Sequence, residues 1–211
     1  MAIKIQSRFL PLLSGGVWLA VVIAGLALMF RYQSSAGTQT NAPAVWPVQS
    51  HICASSNKAT LLMILHPHCP CSRASVRELN QLMAKCEGLI EAHVIFVKPH
   101  GFAEGWEKSD LWKAAASIPG VSIHCDDEGN EARLFQAATS GQTLVYDKSG
   151  KLFFSGGVTA GRGHSGDNPG AKAISTLLSN TRTDASQTPV YGCSLFESAA
   201  TINQKKTCCT K

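Results

Sequence analysis

The sequence predicts an α/β domain, a mixed central sheet flanked by helices, standing behind one N-terminal transmembrane helix. Three observations predict it. An uncharged, mainly apolar stretch runs from Phe9 to Phe30. Short apolar runs then alternate with amphipathic helical segments and close with a hairpin, the pattern of parallel strands crossed by helices. Finally, a pair of cysteines, Cys69 and Cys71, sits where the first buried strand gives way to its helix.

The N-terminal stretch is long enough to cross a hydrocarbon core, which needs ~20 residues. Lys4 and Arg8 precede it and Arg31 alone follows closely, which favours an N-terminus inside and everything downstream outside. A cleaved signal peptide is the alternative: Val17 to Phe30 fits its apolar region, and Ser34 and Ala36 make a small-x-small site. Both readings put the domain in the periplasm or another extracytoplasmic space. The expected organisation is an anchor or signal over residues 1–31, a flexible linker over 32–50, the domain over 51–180 and a cysteine-containing tail over 181–211. The linker reading rests on Ser, Thr, Ala, Gly and Asn with Pro43 and Pro47.

Within the domain, Ala59 to Leu65 is an apolar run ended by Pro67, a buried strand. The next helix has Ser72 as its cap, Ser75 and Glu78 at capping-box spacing, and Val76, Leu79, Met83 and Cys86 on one face. Ala92 to Val97 is a strand, Ser109 caps a helix through Ser117, and Val121 to Cys125 is a third strand. A short helix over Glu131 to Ala138 follows. Thr143 to Tyr146 and Leu152 to Phe154 are strands joined by the turn Asp147-Lys148-Ser149-Gly150, and a last helix covers Ala171 to Leu178.

The 19 basic and 14 acidic side chains give a formal +5, but they are scattered, without a basic run or aromatic-interleaved patch, so no nucleic-acid partner is indicated. Eight cysteines in 211 residues call instead for a redox or metal explanation. The segment His66-Pro67-His68-Cys69-Pro70-Cys71-Ser72-Arg73-Ala74 places Cys69 where helical N–H groups and the positive end of the helix dipole stabilise a thiolate. Protonated His66 or His68 adds to that effect. A disulfide between cysteines one residue apart closes a tight ring, which favours exchange over a structural staple. The other readings are distant disulfide partners for each cysteine, or a metal site.

These residues resemble the thioredoxin superfamily, nearest its exported, membrane-anchored TlpA and RedB-like branch. Cys69-Pro70-Cys71-Ser72-Arg73-Ala74 is similar to the family's Trp-Cys-Pro-Pro-Cys-Arg-Ala. Asp127-Glu128-Gly129-Asn130-Glu131-Ala132-Arg133-Leu134-Phe135, through Tyr146-Asp147-Lys148-Ser149-Gly150-Lys151, resembles its Asp-Gly-x-x-Ala-x-x-Tyr and Leu-Ile-Asp-x-x-Gly region. The resemblance covers roughly Ala59 to Leu178. It implies a thioredoxin-like fold and a thiol-disulfide oxidoreductase acting on protein thiols or disulfides outside the cytoplasm, without a cofactor. Cys69 takes the attacking position and Cys71 resolves, while Ser72 falls where the family has its resolving cysteine. Gly141 stands at the family's cis-proline, which faces the active site and helps to keep metals off the dithiol. Its absence raises the competing reading, a copper carrier using Cys69, Cys71 and a histidine, His66, His68 or His164. Cys86 and Cys125 read as core residues or a structural pair. Cys193, Cys208 and Cys209 lie in the tail, with a tail disulfide expected.

Overall fold

The computed structural model describes residues 3–179 and 187–196, with side chains from residue 13 onward. The chain divides into a unit ending at Ser35 and a unit beginning at Ala36. The first holds helix α1 (Ile3–Gln33). Its portion Leu13–Gln33 is long and apolar enough to cross a membrane, a description that an anchor and a signal sequence both meet.

The second unit contains β1 (Ala59–Leu65), α2 (Ser72–Lys85), β2 (Ile90–Lys98), α3 (Asp110–Ala116), β3 (Val121–Asp127), α4 (Asn130–Leu134), β4 (Gln142–Tyr146), β5 (Leu152–Gly156) and α5 (Pro169–Leu178). The order of elements is the one the sequence predicts. The five strands form one sheet in the order β3-β2-β1-β4-β5. β1 runs parallel to β2 and β2 to β3, whereas β4 is antiparallel to both β1 and β5.

The central strand β1 is apolar throughout because both its faces are covered. Leu61, Met63 and Leu65 enter one core with Val76, Leu79 and Leu82 of α2, Leu111 of α3 and Ile174 of α5. Leu62 and Ile64 alternate to the opposite core, with Ala132 of α4, Phe135, Leu144 and Tyr146. This sandwiching fixes the C-terminal end of β1, and with it the start of α2.

Two local expectations are corrected. α4 stops at Leu134 rather than Ala138, because Gln136 takes a left-handed φ of 55°. The Ala137 N–H then bonds the Ala132 carbonyl at 2.8 Å and the Gln136 N–H bonds that of Arg133 at 3.0 Å, a Schellman closure. A glutamine does not announce that turn as a glycine does. The capping box is absent too: Cys71 is the N-cap residue of α2 and its side chain makes no capping bond. Glu78 is buried instead, and its carboxylate accepts from the Gly166 N–H at 2.7 Å and from Asn168 Nδ2 at 3.0 Å. It thereby ties α2 to the glycine-rich loop before α5.

Removing that carboxylate takes the acceptor from the Gly166 N–H and one of two acceptors from Asn168 Nδ2, which keeps the Gly166 carbonyl. Glu78→Ala is expected to cost about 2–3 kcal/mol, the scale of lost charged hydrogen bonds. A denaturant titration checks it, and a change under about 0.5 kcal/mol, as at ordinary surface positions, contradicts it.

Within residues 32–50, expected as linker, the stretch from Gly37 to Trp46 makes specific contacts with the domain. Gly37 N–H bonds the Val190 carbonyl at 2.8 Å, and the Thr38 carbonyl accepts from Thr139 Oγ1 at 3.0 Å. Val45 bridges to Lys151, and Trp46 packs edge-on against Phe135 and Tyr146 at 4.9 and 5.0 Å between ring centroids. The indole N–H donates to the Ile52 carbonyl at 3.1 Å.

Residues 187–196 also run along the domain. Gln187 bridges to Ser155 and Ser194 to Thr139. Val190 and Leu195 are buried, Leu195 within the second core.

Candidate thiol site

After β1, the His66 carbonyl accepts from the Cys69 N–H at 3.1 Å, and the Cys69 carbonyl accepts from the Ser72 N–H at 3.1 Å. These turns deliver Cys69 and Cys71 just ahead of α2, Cys71 as its N-cap, both buried, at 4% and 8% exposure. Cys69 lines a cavity of about 340 Å³ together with His68, Arg73, Lys108 and Asp110. Ser109, the N-cap of α3, closes one side by donating to the Pro67 carbonyl at 2.8 Å.

The loop Thr139-Ser140-Gly141 before β4, outside that cavity's lining, is hydrogen-bonded to the start of α2. Ser140 Oγ accepts from the His66 N–H at 2.8 Å and shares a hydrogen bond of 2.7 Å with Ser72 Oγ. Gly141 has φ +95°, and a Cβ there would stand 2.9 Å from Ser75 Oγ. Glycine therefore serves where the resemblance has proline, since the loop must pass close to α2 in a left-handed conformation.

The segment carrying Cys193 also reaches the thiols. Its carbonyl accepts from the Ser140 N–H at 2.8 Å, and its sulfur hydrogen-bonds with that of Cys69 at 3.1 Å. The sulfurs of Cys69, Cys71 and Cys193 all lie within 4.8 Å of one another. All three cysteines are free thiols. Reasoning from the sequence left Cys193 in an unplaced tail.

The three thiols are not equivalent. Burial opposes ionisation of Cys69, but hydrogen bonds from Ser72 and Cys193, through side chain and backbone, outweigh it and bring its thiol below the ordinary value. Cys193 is pushed up to about 12, first by burial and then by the hydrogen bond to, and charge on, Cys69. Burial and the Cys69 charge also raise Cys71, against the opposing pull of Arg162. Cys69 is therefore the most readily ionised of the three.

Arg162 is a second residue that sequence reasoning missed. The guanidinium donates to the Gly192 carbonyl at 2.5 Å, next to Cys193. His164, singled out from the same loop, is exposed and turns its Nδ1 to the Arg162 carbonyl at 2.9 Å. His66 is held below the ordinary imidazole range by burial and then by His68. It is neutral at neutral pH, which corrects the expectation that it supplies charge to the thiolate. The His68 ring packs against Trp106 at a tilt of 55°, 4.5 Å between centroids, with Nε2 3.0 Å from the Trp106 carbonyl. Among the described residues, the cluster with metal-ligand spacing is thus three cysteines, not two cysteines and a histidine.

Cys86 is buried in the first core at the end of α2, and Cys125 and Cys53 are exposed; all three are free. Cys208 and Cys209 lie outside the described residues. Chemically, the site can hold one activated thiolate beside two protonated thiols, suited to disulfide exchange, and three sulfurs suited to a soft ion.

The sequence matches no protein-family model and no curated protein. Among solved structures, the chain is similar to an uncharacterized conserved protein from Geobacillus kaustophilus, at 19% identity over 79% of this chain and 94% of that one, TM-score 0.55. It is also similar to a hypothetical protein from Sinorhizobium meliloti 1021, at 16% identity over 78% and 96%, TM-score 0.53. A thioredoxin-like protein from Aeropyrum pernix aligns at 13% identity over 78% and 99%, TM-score 0.43. With its strands in the order β3-β2-β1-β4-β5, three parallel and the last two forming an antiparallel hairpin, the chain has a thioredoxin-like fold.

Proposed function

We propose that this protein is an exported, membrane-tethered thiol-disulfide oxidoreductase that exchanges disulfides with partner proteins through Cys69, with Cys71 as the second thiol of its motif. The observation that carries this reading is the acidified Cys69 thiol at the start of α2, bordering an open cavity. A thiolate attacks a disulfide, whereas a thiol does not. The apolar helix α1, with Lys4 and Arg8 before its apolar part, supports tethering and export.

In the reducing direction the Cys69 thiolate attacks a partner's disulfide sulfur. The partner's S–S bond breaks, a mixed disulfide forms, and one partner thiolate leaves and takes up a proton. A second thiol of the site then displaces the partner from Cys69, and the protein is left with a disulfide. The reverse sequence oxidises a partner dithiol.

A copper carrier is the second reading, favoured by the three sulfurs within 4.8 Å. One assay separates the two. Fully reduced protein, treated with a strong copper chelator, is mixed with a model protein disulfide and the thiols released are counted. Exchange is expected to proceed in the presence of chelator, leaving this protein with one new disulfide. Absence of thiol transfer, together with copper retained through chelator dialysis, contradicts the enzyme reading.

A further inference from the structure

Cys193 lies 124 residues from Cys69 in sequence and touches it in space. Its segment is built into the fold at several points. Thr188 Oγ1 donates to the Gly157 carbonyl at 2.9 Å, and the Leu195 N–H bonds the Ala138 carbonyl at 2.9 Å. Gly192 passes so near Ser140 that a Cβ would stand 1.8 Å from its carbonyl oxygen, so the approach is possible only for glycine. Ser140 is the residue that also contacts Ser72 and His66. The loop that carries Ser140 therefore holds Cys193 in position.

We infer that Cys193 is the resolving thiol of the site, displacing the partner from Cys69 by forming a Cys69–Cys193 disulfide. The inference rests on the reading of Cys69 as the attacking thiol and replaces Cys71 in the second step. Geometry favours the replacement. The Cys193 sulfur is already in contact with Cys69, and, coming from a separate segment, it closes no small ring, whereas Cys71 is one residue away in helical backbone.

The step balances. When Cys69 is in a mixed disulfide its negative charge is gone, and of the causes that hold the proton on Cys193 the hydrogen bond to and charge on Cys69 go with it, while burial stays. The Cys193 sulfur gives up its proton to solvent and attacks Cys69 Sγ. The Cys69–partner S–S bond breaks, the Cys69–Cys193 bond forms, and the partner's second sulfur leaves as a thiolate that takes up a proton. Two electrons and two protons have passed to the partner, and the pair Cys69 and Cys193 is oxidised. Cys71, still a thiol and within 4.8 Å, remains available to reopen that bond.

The test is to oxidise the reduced full chain with a model protein disulfide, quench in acid, block free thiols and map tryptic peptides without reductant. Cys69 and Cys71 share one peptide, Cys193 lies in another between Arg182 and Lys205, and Cys208 and Cys209 lie beyond Lys206, so the pairings separate by mass. The expected product links the Cys69 peptide to the Cys193 peptide. Cys193→Ser is expected to accumulate the mixed disulfide, and Cys71→Ser is not. A wild-type product closed within the Cys69–Cys71 peptide, or Cys193 joined to Cys208 or Cys209, overturns the inference while leaving exchange at Cys69 intact. Failure of Cys69 to form an adduct in any variant overturns both.

Discussion

Cys69→Ala is expected to abolish protein disulfide exchange, lowering its rate about 10³-fold or more, as removal of an attacking nucleophile does in enzymes whose groups act as a unit. The size of the loss follows from the uneven acidity of the cluster. Burial is the largest cause that raises both Cys193 and Cys71, and it stays when the Cys69 charge is removed, so neither thiol is poised to stand in for Cys69. Cys53→Ala and Cys125→Ala are the matched controls and should keep the wild-type rate. Both are exposed and outside the cluster, and Cys125 is pushed up to about 11 by desolvation, then by Glu107 and Asp127. Rates measured with a model protein disulfide check this, and a Cys69→Ala protein within tenfold of wild type contradicts it.

The oxidised protein is expected to be markedly more stable than the reduced one. A bond between Cys69 and Cys193 closes a loop of 124 residues. In the chain-entropy account, a loop of that length withdraws about 4–5 kcal/mol of freedom from the unfolded chain. For a domain near 150 residues, that is a rise in melting temperature of about 10 °C or more. A Cys69–Cys71 bond closes almost no loop and gives no such gain. Thermal melts with and without reductant read the difference directly, and Cys193→Ser is expected to remove it. Equal melting temperatures for the oxidised and reduced wild type contradict the long-range pairing.

The frame of the fold was legible because burial dictates it. β1 is apolar at every position from Leu61 to Leu65, as a strand covered on both faces must be, and Asp147 with Gly150 marks the β4–β5 hairpin by known turn chemistry. The dithiol was legible for the same local reason, standing where a strand ends and a helix begins. What escaped was long-range or irregular. Gln136 closes α4 in a left-handed conformation that its identity does not advertise. Cys193 sits in an extended segment without periodicity, held by backbone bonds and by glycine contacts that no spacing rule encodes. Gly192 beside it, and the pair Gly156-Gly157 that packs against Thr188 and Pro189, are the signals of close backbone approach. Arg162 and His164 share one loop, and only the register of its turn decides which side chain lies toward the thiols.

The most direct test of the central claim, a single activated thiolate on Cys69 among three clustered thiols, is the pH dependence of alkylation resolved cysteine by cysteine. Reduced protein is pulsed with a small alkylating agent from pH 5 to pH 10, and each cysteine is read by peptide mass. Because hydrogen bonds lower Cys69 while burial and the Cys69 charge raise its neighbours, its half-maximal rate should fall below the ordinary thiol range of about 8.5. Cys71 and Cys193 should reach theirs above it. Cys193→Ala should move the Cys69 midpoint upward, since the side-chain hydrogen bond from Cys193 helps to hold it down. A Cys69 midpoint at or above those of Cys71 and Cys193 would contradict the account.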